Sequence, residues 1–131
     1  MKPTQPILLV DDDDSYRAIL RHHLETLGYQ VLEADDGAQG CHVASRKPLQ
    51  LIILDIVMPN TEGLEAISQL RRAGVRTKIL AISGAGRARE YLAWAGRLGA
   101  DAEMEKTRPI SELLSMIQSL AEDGNRAAGC H

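Results

Sequence analysis

Residues 51–55, Leu51-Ile52-Ile53-Leu54-Asp55, decide the fold. Four uncharged apolar side chains in a row mark a strand buried on both faces, and the aspartate terminates it. Upstream, Ile7-Leu8-Leu9-Val10 has the same character and also runs into aspartates. Between the two lie a helical stripe (Tyr16, Ile19, Leu20, Leu24, Leu27) stopped by Gly28, a short strand at 30–34, and a helix over about 37–46. Asp35-Asp36-Gly37 signals entry to that helix, Gly40 weakens it, and Lys47-Pro48 ends it. Downstream, Leu64, Ile67 and Leu70 mark a third helix closed by Gly74, and Lys78 to Ile82 a fourth strand. Ala88, Tyr91, Leu92, Ala95 and Leu98 line a fourth helix with Gly99 beyond it; residues 101–105 read as a weak fifth strand. Ile110, Leu113, Leu114, Ile117 and Leu120 form the last helix.

Strands and helices therefore alternate five times, the pattern of βαβ units with right-handed crossovers and a parallel sheet covered on both faces. With 131 residues, 44% of them hydrophobic and 25% charged, the chain holds one domain. Its expected extent is residues 6–122, after an N-terminal extension at 1–5 and before a disordered tail at 123–131, where the composition turns small and polar. No separate output domain is expected, and the domain is expected to stand alone. Two cysteines, Cys41 and Cys130, make no secreted disulfide framework. No signal peptide or membrane span is readable, and a net charge of −3 gives no reason to expect nucleic acid or an anionic membrane as partner. The expected location is the cytoplasm.

Ligands of open parallel α/β sheets bind outside the carboxyl ends of the strands. The residues that follow the strands here are Asp11 and Asp12, Asp55, Ser83 and Lys106. Asp35 and Asp36, after the second strand, suit helix capping better. Three carboxylates against one ammonium leave an excess of negative charge, which either raises carboxyl pKa values or recruits a cation. A hard divalent ion with oxygen ligands answers that excess, and Mg²⁺ suits a site with few carboxylates that must also accept a phosphate oxygen. An aspartate beside such an ion, a lysine and a hydroxyl is equipped to attack phosphorus.

Over roughly residues 6–122 the sequence resembles the receiver domains of bacterial two-component response regulators. The resemblance is carried by ILLVDDDDSYR (7–17), LIILDIVMPNTEGLE (51–65), ILAISGAG (79–86) and Lys106, in order at the strand ends. It implies a flavodoxin-like sheet of order 2-1-3-4-5 with Asp55 as phosphoacceptor. It further implies Asp12 as a direct Mg²⁺ ligand, Asp11 acting through water, and the main-chain carbonyl of Val57 as the third protein ligand. Ser83 matches the hydroxyl that turns toward the phosphoryl group, and Lys106 the lysine that pairs with it. The implied partners are a histidine kinase or phosphotransfer protein, and a downstream protein docking on the face of the fourth helix, fifth strand and fifth helix. The implied chemistry is self-phosphorylation and slow dephosphorylation rather than turnover of an enzyme's substrate.

The chain departs from that family in four places. Lys106 is followed by Thr107-Arg108-Pro109, whereas the family usually joins proline to the lysine by a cis bond; a cis bond before Thr107 would cost about 2.5–4 kcal/mol, so trans is expected. Glu103 stands where many members carry a switching aromatic. Val57 and Ala85, two residues past Asp55 and Ser83, are apolar where the family tunes hydrolysis of the acyl phosphate. Trp94, about 60° off its helix stripe, reads equally as cover for the core edge or as a partner contact. Two other functions compete: a receiver-shaped binding module that is never phosphorylated, and a dehalogenase-type phosphatase built on Asp11-x-Asp13 followed by Ser15.

Overall fold

In a computed structural model, the structure describes residues 5–56, 62–84 and 88–129. The elements are β1 (Ile7–Val10), α1 (Asp14–Thr26), β2 (Val31–Ala34), α2 (Gly37–Arg46), β3 (Leu51–Asp55), α3 (Glu62–Arg72), β4 (Ile79–Ser83), α4 (Ala88–Leu98), β5 (Ala102–Glu105) and α5 (Ile110–Gly129). All strand pairings are parallel and the sheet order is β2-β1-β3-β4-β5, as the resemblance implied. Every residue of β1, β3 and β4 is buried, which is why these three read as unbroken apolar runs. At the edges, β2 and β5 carry exposed positions and correspondingly mixed sequences.

Alternate strand residues point to opposite faces and make two cores. Leu8, Val10, Ile52, Leu54, Ile79 and Ala81 pack with Ala44, Ala66, Ile67, Leu70, Leu92 and Ala95, so α2, α3 and α4 cover that face. Ile7, Leu9, Leu51, Ile53, Leu80 and Ile82 pack with Leu20, Leu24, Leu113 and Ile117, under α1 and α5. Gly40, which weakens α2 as a helix, lets it pack closely on the sheet. A Cβ there would lie 2.9 Å from Val10 Cγ2, so the glycine gives up helix propensity to let α2 lie close on β1. Gly28 and Gly74 stop their helices in the left-handed conformation, with φ of 97° and 86°.

Three expectations are corrected. Ile19 and Leu27 are 57% and 44% exposed rather than buried. Ile19 sits 100° around the helix from Leu20, and Leu27 is the C-cap, past the last residue in helical phase. Ile110, at the start of α5, is likewise exposed, and Ala121 joins Leu113 and Ile117 on the buried side. Finally, α5 continues to Gly129, past the boundary expected at Asp123. Alanine and charged residues support a helix without an apolar stripe to announce it.

Candidate functional site

The order β2-β1-β3 means that the chain leaves β1 in one direction and crosses back over it to reach β3. The crevice at that reversal, at the carboxyl ends of β1 and β3, is where such sheets bind ligands. Asp11 lies just past β1, its backbone N–H donating to Ala34 O (3.1 Å), and Asp55 ends β3. Both are buried, at 0% and 3% exposure, as is Ser83 at the end of β4. Asp12 is exposed. Carboxylate oxygens of Asp11, Asp12 and Asp55 lie within 4.8 Å of one another. Of the run Asp11 to Asp14, Asp13 is the N-cap of α1 and accepts from Tyr16 N (3.1 Å), and Asp14 pairs with Arg17. Asp36 caps α2 in the same way.

Lys106 reaches the crevice from the far side of β4. Its backbone N–H donates to Ser83 O (2.8 Å), and its Nζ donates to Asp55 Oδ2 at 3.1 Å. The same ammonium is 2.7 Å from Asp11 Oδ2, an ion pair by distance. That buried oxygen accepts no aligned hydrogen bond from the described residues. Burial alone would lower the Lys106 pKa, but Asp11 and Asp55 outweigh it and hold the ammonium above its usual range. There is no cis peptide among the described residues, so the Lys106–Thr107 bond is trans, as expected. Lys106 therefore reaches both carboxylates without an adjoining proline.

The donor set fits a cation. All its atoms are oxygens, the three carboxylates outnumber the one ammonium, and one buried carboxylate oxygen lacks an aligned donor. Oxygen-only sets of this kind suit Mg²⁺ or Ca²⁺ rather than softer metals. Val57, whose carbonyl the resemblance adds to the set, lies outside the described residues, as does Ala85.

Several contributors escaped the sequence reading. Arg17 donates to Asp11 O and to Glu33, fixing the start of the α1 loop from outside. A Cβ on Gly84 would lie 3.2 Å from Lys106 Cδ, so the small residue after Ser83 makes room for the lysine stem. Gly63, in the first turn of α3, lies so close to Asp55 O and Ile56 Cα that a Cβ would overlap backbone. A glycine inside a helix start was the only visible signal for it. Glu103 lies against α4, its Oε2 3.4 Å from where a Gly96 Cβ would be. Trp94 is 54% exposed with the Arg97 guanidinium 5.4 Å from its ring centroid, so it does not close the core edge.

A doubly wound parallel sheet with a carboxylate cluster, a buried serine and a lysine converging at its switch point defines a class: receiver-like modules on a flavodoxin-like scaffold. The response regulator receiver domain family matches residues 7–118, and the chain belongs to that family, a component of two-component systems. Among curated relatives, the response regulator MprA of Mycobacterium leprae is 36% identical over 114 residues, covering 87% of this chain and 50% of that protein. The probable transcriptional regulatory protein SilR of Salmonella typhimurium is 34% identical over 119 residues, covering 91% of this chain and 52% of SilR. The chain thus spans about half the length of these relatives. The CheY-like receiver domain protein of Methanospirillum hungatei superposes with a TM-score of 0.85 at 25% identity, covering 95% of this chain and 99% of that one. No helix among the described residues is long and apolar enough to cross a membrane.

Proposed function

We propose that this receiver accepts a phosphoryl group on Asp55 from a phosphohistidine donor, a histidine kinase or a phosphotransfer protein, and passes the signal to a protein partner. The observation that carries the reading is the approach of Lys106 Nζ to both buried carboxylates, at 2.7 Å from Asp11 and 3.1 Å from Asp55. An Asp55 oxygen attacks phosphorus, the donor's P–N bond breaks, and the imidazole leaves with its electron pair and takes a proton. With a small donor such as acetyl phosphate the P–O bond breaks and acetate leaves. Little covalent machinery is needed, because positioning and charge neutralisation carry most of phosphoryl transfer. Asp11, Asp12 and Asp55 would hold Mg²⁺, with the Val57 carbonyl as a further ligand. Bound there, the ion neutralises the carboxylates and coordinates a phosphoryl oxygen. Lys106 pairs with the transferred group, and the Ser83 hydroxyl donates to it.

The partner surface we assign is the α4, β5 and α5 face, where Trp94 and Arg97 are exposed. A single exposed tryptophan makes a good anchor for a protein partner. The cytoplasm, where kinases and their phosphoryl donors meet, is the compartment this reading requires. The phosphatase alternative loses its second carboxylate, since Asp13 is engaged as the cap of α1. Intact-mass measurement tests the reading: acetyl phosphate with Mg²⁺ should add one phosphoryl group to the wild type and none to Asp55→Asn. An unmodified wild type would favour the phosphorylation-independent module.

A further inference from the structure

Tyr16, in the first turn of α1, brings an aromatic ring to the site. Lys106 Nζ lies 4.4 Å from the centroid of that ring. An ammonium within about 6 Å of an aromatic face is attracted by the ring quadrupole, most strongly where water is excluded. The tyrosine hydroxyl is buried and has no hydrogen-bond partner among the described residues.

Lysine carries its charge on a flexible four-carbon stem, and Thr107 follows Lys106 with a trans bond. The two carboxylates beside Nζ are also the groups that a divalent cation would take, and Asp55 would lose an anionic oxygen when phosphorylated. Neither event touches the Tyr16 ring. We propose that Tyr16 is a positioning residue, whose ring face keeps the Lys106 ammonium at the phosphoryl site when cation and phosphoryl group compete for Asp11 and Asp55. Its functional consequence rests on the reading of Asp55 as acceptor; the contact itself does not.

The test combines a spectroscopic and a kinetic readout. In the metal-free protein, the Lys106 ε-methylene protons should be shifted upfield by the ring current in the wild type and in Tyr16→Phe, and not in Tyr16→Leu. With acetyl phosphate and saturating Mg²⁺, Tyr16→Phe should phosphorylate within about twofold of the wild type, and Tyr16→Leu about tenfold more slowly. In a Lys106→Met background, Tyr16→Leu should cost nothing further. Ordinary Lys106 shifts in the wild type, a Tyr16→Phe variant as slow as Tyr16→Leu, or additive losses in the double variant would each overturn the proposal. Should Tyr16→Leu fail to fold, the wild-type shift and the Tyr16→Phe rate still decide. Should the wild type take no phosphoryl group, the acceptor reading fails while the shift continues to report on the ring contact.

Discussion

Two basic side chains sit at opposite ends of the sheet. At the amino ends, Arg71 donates to the carbonyls of Gly99 (3.0 Å), Val75 (2.8 Å) and Thr77 (2.8 Å) and to Asp101 Oδ2 (2.9 Å). Asp101 Oδ2 in turn accepts from Ile79 N, the first residue of β4. One cation meets one carboxylate, and the remaining donors are met by fixed backbone oxygens. At the carboxyl ends, Lys106 faces Asp11 and Asp55 with Asp12 close by, so charge there is left uncompensated. The first cluster is electrically closed and holds the fold together. The second is open, and its excess charge is what a cation and a phosphoryl group can use.

The largest difference between the clusters should appear on removing each base. Arg71→Met leaves the exposed Asp101 carboxylate and three part-buried carbonyls without their donor, and should lower stability by about 1–2 kcal/mol in urea unfolding. Mg²⁺ should not restore it. Lys106→Met should also lose stability, but millimolar Mg²⁺ should return much of it, because the ion replaces the missing positive charge. Equal responses of the two variants to Mg²⁺ would erase the distinction.

Removing an acid should distinguish the ends in the opposite sense. Asp12→Ala should raise the melting temperature of the metal-free protein while weakening Mg²⁺ binding at least tenfold, since it relieves repulsion and deletes a ligand. Asp101→Ala, in the closed cluster, should only destabilise. An unchanged Mg²⁺ titration in Asp12→Ala would remove that residue from the site.

The open cluster should also be slow to empty. A water that hydrolyses the acyl phosphate needs positioning, and neither Val57 nor Ala85 has a side-chain hydrogen-bonding group. Val57→Asn with Ala85→Glu should shorten the phosphoryl half-life, on the order of tenfold. A double variant no faster than the wild type would assign the water to another group.

The smallest effect concerns the acid side of the pH profile. Burial alone would raise the Glu33 carboxyl, but hydrogen bonds from Arg17 and Arg21 outweigh it and hold the pKa below the usual value. A depressed carboxyl contributes stability above its unfolded pKa and loses it as pH falls through the folded value. Glu33→Gln should therefore flatten the loss of stability below about pH 4.5. A profile identical to the wild type would show that this exposed-side network contributes nothing measurable.

How much of this was legible in the sequence follows from where each residue sits. The runs at 7–10, 51–54 and 79–82 announce themselves because both faces of β1, β3 and β4 are buried. The run at 102–105 is faint because an edge strand needs no such pattern. Asp11, Asp55, Ser83 and Lys106 were readable because each directly follows or ends a strand. Arg71 was not, since its partners come from two loops, one of them far along the chain, that only the fold brings together. Tyr16 was hidden differently: it sits in phase with Leu20 and Leu24 and so reads as core, while its contact to Lys106 joins distant segments.

The most direct test of the open cluster is to locate the phosphoryl group itself. The protein would be phosphorylated with and without Mg²⁺, the acyl phosphate trapped by borohydride reduction, and the modified residue mapped by peptide sequencing. The account predicts a single, Mg²⁺-dependent modification at Asp55. A label on Asp11 or Asp12, or on Asp55 to the same extent without the ion, would contradict it.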